Sequence, residues 1–318
     1  MSGLPDYVPS GVELADVSES VGPDLADDAD LRDLLRDLHV DDVLRDRGNI
    51  PRIRPILVAL AARASGAEAV DDEMQHAAEL LHLALQVHDV ALGREGGRRR
   101  RVVRKFVKSL GWLGGNHFTL RALELVRSTR PDALADVVDT MREFAEGHAL
   151  SQELIRGRAP TWDDWSDHAD THTGALFAYC CRAGGSVAVA STEARTSLAR
   201  YGRHLGRLWH ISEDVSALVH TDAAEHLRTR ATAGRPVLPV VLAIDQDPDV
   251  AVRWRLVVRE PSHRAIYELA SAVTHPSVLA KCRDVMLAES LTARRALHEL
   301  PASRYRLAME KLAVNLIR

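Results

Sequence analysis

The chain has 318 residues, 46% of them hydrophobic and 27% charged, with a formal net charge of −4. That length can bury a large core in one big domain or two small ones, and the slight acidity excludes a whole-protein field for nucleic acid while leaving room for local basic patches. Three cysteines, Cys180, Cys181 and Cys282, show neither zinc-ligand spacing nor a disulfide framework, which predicts reduced thiols in a cytoplasmic protein.

Residues 1–29 carry Pro5, Pro9, Pro23 and many aspartates, and have no apolar segment of signal-peptide type. They read as an acidic, flexible leader ahead of one domain over 30–318. Leu31, Leu34, Leu35 and Leu38 mark an amphipathic helix. Ile56, Leu57, Leu60 and Ala61 mark a second, with Gly66 as its stop. A long helix over 71–92 opens with an acidic first turn, which suits the positive end of the helix dipole.

Helical periodicity continues over 103–128, 131–156, 161–183, 192–219, 262–273, 276–298 and 302–317. Pro131, Pro160, Pro276 and Pro301 stand at helix starts, where a missing N–H costs little. Only 237–243 and 252–258 have the β-branched runs of strands. The longest apolar stretch, 237–244, contains Pro239 and is too short to be a transmembrane segment. The pattern predicts an all-α helical bundle around a central cavity.

Motifs fall along this helical frame in a recognisable order. They are Gly48-Asn49-Ile50-Pro51-Arg52-Ile53-Arg54-Pro55, then Glu79-Leu80-Leu81-His82 followed by His88-Asp89, then Gly114-Gly115-Asn116-His117-Phe118 with Arg121-Ala122-Leu123-Glu124. Next come His172-Thr173-Gly174-Ala175-Leu176-Phe177 and Tyr201-Gly202, Leu205-Gly206 and Trp209-His210-Ile211-Ser212-Glu213-Asp214. The last is Gly234-Arg235-Pro236-Val237-Leu238-Pro239. Each is weak alone. Together, in this order, they resemble GGKRIRP, ELLH…HDDxxD, GDYLLARALE, KTGALF, YGxxLGxAFQIxDDxxD and GKPTLP of the polyprenyl synthetases, the trans-isoprenyl diphosphate synthases.

The resemblance implies an isoprenoid synthase bundle in which a prenyl diphosphate ionises and isopentenyl diphosphate attacks the cation. In that family three magnesium ions, held by two facing aspartate motifs, stabilise the leaving pyrophosphate. Here the first motif reads Asp89-Val90-Ala91-Leu92-Gly93 and the second Glu213-Asp214-Val215-Ser216-Ala217, so both are degenerate. Asp89, Glu213 and Asp214 are the candidate catalytic and metal-binding residues, and three carboxylates are too few for three Mg2+ ions at full occupancy.

The family's diphosphate-binding lysines correspond to Pro51, His172 and Arg235, and the aspartate of the GDYLL segment to Asn116. Arg54 and His82 match residues that hold isopentenyl diphosphate. The RRG pair falls in register on Arg98 and Arg99, whose planar donor forks suit phosphate oxygens. Leu81, Ala84 and Leu85 occupy the wall of the chain tunnel, and none is aromatic, so nothing plugs it.

The residues also admit plainer readings. Arg98 to Arg101 form a charge run of the solvated kind. His82 on an apolar face, and His172, can be structural. His210, Glu213 and Asp214 share one helix face at i, i+3 and i+4. With Asp89 opposite, that mixed nitrogen and oxygen set would favour manganese, iron or zinc over magnesium, the alternative being a satisfied core histidine. The expected function is a divergent prenyltransferase of isoprenoid biosynthesis, acting as a homodimer or as a heterodimer with an intact synthase paralogue. A non-catalytic or regulatory subunit is the alternative.

Overall fold

A computed structural model describes residues 53–91, 112–150, 152–220 and 223–317. The predicted leader, the helix over 31–38, the first five residues of the Gly48 motif, and Arg98 and Arg99 lie outside the described residues. Among the described residues there is no strand, and no helix is long and apolar enough to cross a membrane.

Helix α1 (Ile53–Ala64) is buried almost all round, and α2 (Asp72–Ala91) begins with Asp72 and Glu73 in its first turn. Helix α3 (Trp112–Thr129) leads through a single 3₁₀ turn (Pro131–Ala133) to α4 (Leu134–Leu150) and the short α5 (Gln152–Ile155). Helix α6 (Trp162–Ala169) starts on a capping box. The Thr161 hydroxyl accepts from the Asp164 N–H, and the Asp164 carboxylate accepts from the Thr161 N–H at 2.8 Å.

The predicted helix over 161–183 is not one regular helix. It contains a π-helical turn (Asp170–Gly174) between α6 and α7 (Ala175–Val187), and the Ala175 N–H donates to the Asp170 carbonyl five residues back. Such turns insert an extra residue into a helix and often sit at functional sites. The remaining helices are α8 (Thr192–His220), α9 (Ala223–Thr232), α10 (Leu238–Gln246), α11 (Asp249–Arg259), α12 (His263–Val273), α13 (Pro276–Ala296) and α14 (Arg304–Asn315).

Both strand-like segments are helical. In α10 the apolar run is buried as a helix, with a proline in its first turn, and a short apolar run has no period that separates the two structures. In α11, Val250, Trp254 and Val257 recur at i, i+4 and i+7 and bury one helical face.

The core is built on α7 and α8, which pack against each other; α1 and α2 close over α7, and α13 lies along α8. Trp165, Phe177, Tyr179, Tyr201 and Trp254 are fully buried. The Tyr201 hydroxyl donates to the Met309 carbonyl at 2.8 Å and ties α8 to the last helix. The π turn touches α4, α6, α7 and α8. Two glycines allow this. A Cβ on Gly147 of α4 would overlap the Thr171 hydroxyl, and one on Gly206 of α8 would sit 2.6 Å from the Thr173 carbonyl oxygen. Imidazoles from three helices and the π turn are thereby brought into one buried region.

Candidate functional site

Helix α2 carries a polar stripe through an otherwise apolar core. Glu79, His82, Gln86 and Asp89 recur at i, i+3, i+7 and i+10 on one face, spanning about 15 Å at 1.5 Å per residue. At the upper end Arg54 approaches Glu79 at 3.7 Å, both largely buried. His82 and Gln86 bond to each other through their side chains. The predicted tunnel residues Leu81, Ala84 and Leu85 are all buried on the other faces of the same helix.

At the lower end sits Asp89. Its Oδ2 pairs with Arg235 at 2.7 Å, and its Oδ1 lies 2.9 Å from His148 Nε2 and 3.6 Å from His172 Nε2. Burial acts to raise the Asp89 carboxyl, but Arg235 and the two imidazoles outweigh it and hold it well below the usual carboxylate range.

From there a string of imidazoles crosses the core. His148 stacks on His172 with ring centroids 5.0 Å apart and planes at 9°. His168 lies 4.3 Å from His172 and 5.3 Å, edge-on, from His210. His210 Nε2 is 3.8 Å from Asp214 Oδ2, and Asp214 Oδ1 is hydrogen-bonded to His226 at 3.1 Å and accepts from Arg230 at 2.9 Å. The Asp214 side chain is completely buried. Burial again acts to raise it, and Arg230, His210 and His226 hold it far below its ordinary value.

The same burial strips charge from the imidazoles between the two aspartates. It pushes His172 down to about 4 despite Asp89, and His210 down to about 3 despite Asp214. His168 is driven well below its ordinary value by burial, with His172, His210, Arg235 and Arg230 adding to it. These three rings are therefore neutral at pH 7, each with a lone pair on one nitrogen.

The structure thus brings Asp89, His172, Arg235, His210 and Asp214 into one buried polar region. It does not bring Glu213 there: consecutive residues on a helix point about 100° apart, and Glu213 is exposed while Asp214 is buried. Glu213 therefore faces away from the set in which the sequence reading placed it. Sequence reasoning did not find His148, His168, His226 or Arg230. His168 and His172 carry an i, i+4 signal, as do His226 and Arg230. His148 carries none, because it is delivered from another helix through the Gly147 approach.

A magnesium cluster does not fit these donors. Magnesium demands hard oxygen ligands in octahedral geometry, whereas each remaining aspartate is already ion-paired to an arginine and the groups between them are nitrogen donors. A set that could hold a metal is Asp89, His148 and His172, whose ligand atoms all lie within 4.8 Å of one another.

A helical bundle with two buried carboxylate positions, one on α2 and one on α8, is the frame of the isoprenoid synthases. The polyprenyl synthetase family model matches residues 43–273, and the chain belongs to that family, whose members are prenyltransferases of isoprenoid biosynthesis. It is 28% identical over 273 residues to an all-trans-nonaprenyl-diphosphate synthase (geranyl-diphosphate specific) of Rhodobacter capsulatus, covering 82% of each chain. It is 26% identical over 277 residues to the octaprenyl diphosphate synthase of Escherichia coli (strain K12), covering 84% of this chain and 85% of that one. Among solved structures it resembles a polyprenyl synthase from Caulobacter crescentus CB15 complexed with calcium and isoprenyl diphosphate, with a TM-score of 0.75 at 23% identity over 97% of this chain and 95% of that one. A geranylgeranyl pyrophosphate synthase from Bacteroides thetaiotaomicron gives a TM-score of 0.77 at 22% identity, covering 95% and 99% respectively. These two structures speak for the fold.

Proposed function

We propose that this chain is a divergent prenyltransferase of isoprenoid biosynthesis that binds a prenyl diphosphate and does not carry out ordinary magnesium-dependent chain elongation on its own. One observation carries the reading: Asp89 and Asp214 are each neutralised from within, by Arg235 at 2.7 Å and Arg230 at 2.9 Å. Carboxylates so engaged are poor magnesium ligands. Without the metals, the charge on a leaving pyrophosphate loses a stabilisation worth several kcal/mol. The diphosphate class is supported by family membership and by the names of the relatives. Arg54, His82, Arg98, Arg99, His172 and Arg235 are its proposed partners.

The test is incubation of the pure protein with geranyl, farnesyl and geranylgeranyl diphosphates, with and without isopentenyl diphosphate, across a panel of divalent metals. Calorimetry should show diphosphate binding, and product analysis with magnesium alone should show little or no longer chain. Turnover of about 1 per second or more with magnesium would overturn the reading. Arg99→Ala is expected to weaken pyrophosphate binding by about 1.5–3 kcal/mol, the value of hydrogen bonds to a charged group.

A second reading, a non-catalytic subunit of a heteromeric synthase, is favoured by one feature. Trp112, Leu113 and Leu120 of α3 are each more than half exposed, and large apolar side chains grouped on a surface mark association sites. Co-expression with an intact synthase and size-exclusion chromatography, together with assay of the chain alone on prenyl diphosphates across the metal panel, separates the two readings: a complex with no activity of the chain itself supports the second.

A further inference from the structure

We infer that Asp89, His148 and His172 form a mononuclear site for a divalent first-row transition metal of the zinc, cobalt or iron(II) type. The inference goes beyond the prenyl diphosphate reading and does not rest on it.

The three ligands come from separate parts of the fold: Asp89 from the last turn of α2, His148 from the last turn of α4, and His172 from the π turn. Two nitrogens and one carboxylate oxygen are the donor types that borderline transition metals take, as in the two-histidine, one-carboxylate sites. Metal–nitrogen bonds of about 2.0–2.1 Å place neighbouring ligand atoms roughly 3–3.5 Å apart. Two of the pairs here already stand at 2.9 and 3.6 Å, and all three atoms lie within 4.8 Å. Closing the set takes rotation of at least one ring, because the two imidazoles now lie nearly parallel, at 9°.

Three further observations point to a ligand rather than to packing. Nδ1 of His172 is buried without a hydrogen-bond partner and its Nε2 has only the long 3.6 Å approach to Asp89, a costly arrangement for a group that only fills space. The ring that needs a partner sits on the π turn, where an extra residue has been accommodated between two α-helices. Finally, Arg235 takes Oδ2 of Asp89 and leaves Oδ1 turned toward both imidazoles. This is the arrangement in which an outer partner orients a ligating carboxylate.

Three protein ligands would leave coordination positions open on the metal. A purely structural four-ligand site is closed; this one is not. A single Lewis acid at that point would polarise an oxygen of whatever anion the region receives.

The test uses the full chain, stripped with chelator and titrated with Co2+ and Zn2+, with Mg2+ as comparison. One equivalent of Co2+ is expected to bind, with visible absorption of a nitrogen-ligated, four- or five-coordinate ion, and Zn2+ is expected to displace it. His148→Gln and His172→Gln are each expected to weaken binding at least tenfold, with the helical circular dichroism unchanged, while His226→Gln leaves it intact. X-ray absorption of the zinc-loaded natural chain is expected to show two imidazoles, a readout that does not require any variant to fold. Absence of stoichiometric Co2+ binding, binding that survives both glutamine variants, or binding lost with His226→Gln would each overturn the inference.

Discussion

Replacing Arg230 with methionine removes the guanidinium that donates to Asp214 Oδ1 at 2.9 Å and keeps most of the side chain's length. The Asp214 side chain has 0% exposure, so water cannot take the guanidinium's place. Breaking a buried ion pair from one side costs about 3–5 kcal/mol, because a charge is left without its partner. Two features reduce that figure. The Arg230 side chain is itself 15% exposed, so it is less desolvated than its partner, and His226 stays within 3.1 Å of the same oxygen. The expected loss at pH 7 is therefore about 2–3 kcal/mol. Asp214→Asn in the Arg230→Met background removes the stranded charge and should recover most of the loss, with a coupling energy above about 1.5 kcal/mol in the double-mutant cycle. The pH dependence gives a second check. A carboxyl held below its unfolded value of 3.8 stabilises the fold above that value and loses the contribution as pH falls toward its folded one. The deficit of Arg230→Met should be complete at pH 6 and shrink below pH 3.8. Urea unfolding, read as a shift in midpoint at unchanged slope, measures both. A loss below about 1 kcal/mol, or a deficit independent of pH, would show that Arg230 does not hold Asp214 ionised.

Three other outcomes are expected. His210, facing Asp214, Arg230, Thr173, His168, His172 and Arg235, is held near 3 in the fold against 6.5 in the unfolded chain, so the unfolded state takes up its proton first as pH falls. The metal-free protein should lose roughly 2 kcal/mol to this residue between pH 7.5 and 5; His210→Gln should lose that much less, and parallel losses would refute the assignment. Ala84→Phe places a ring at a fully buried position of α2 and should block geranylgeranyl diphosphate while sparing a short diphosphate. A variant that is merely destabilised by about 1–3 kcal/mol, with no chain-length effect in calorimetry, would mean that no tunnel runs there. Gly147→Ala should cost about 1–3 kcal/mol in thermal unfolding, since the new methyl overlaps Thr171. A neutral result would mean that α4 and the π turn do not meet as described.

The helices with long, even periodicity were legible because burial of one face imposes that period: 71–92 was expected and Asp72–Ala91 is found, and 192–219 was expected against Thr192–His220. The three short helices Ala223–Thr232, Leu238–Gln246 and Asp249–Arg259 were not legible, whereas 262–273 was expected and His263–Val273 is found. Residues 238–244 form an unbroken apolar run, exposed only from Asp245 onward, and such a run has no period to read. The π turn was invisible for a related reason: it shifts the register by one residue inside a helix whose pattern otherwise continues. At the site, motif order placed Asp89, His172, His210, Asp214 and Arg235, since those residues occupy fixed positions in the family pattern. Motif order also paired Glu213 with Asp214, and only the helix geometry separates them. His148 reaches the site through tertiary packing, which no local pattern encodes, whereas Arg230 is flagged only by its i, i+4 spacing from His226.

The electrostatics of the buried region decide which cations it can accept. Two aspartates supply two negative charges, Arg230 and Arg235 supply two positive ones, and His168, His172 and His210 between them are neutral, so these groups balance one another without any metal. Magnesium would have to take carboxylate oxygens from the arginines, stranding guanidinium groups in a poorly solvated interior, and would find nitrogen lone pairs in place of the oxygens it prefers. A transition metal has no such competition. It needs only Oδ1 of Asp89 and two imidazole nitrogens, and the Arg235 pair on Oδ2 can stay in place. Under the proposed reading, the arginine partners of Asp89 and Asp214 therefore disfavour magnesium while leaving Oδ1 of Asp89 open to a transition metal.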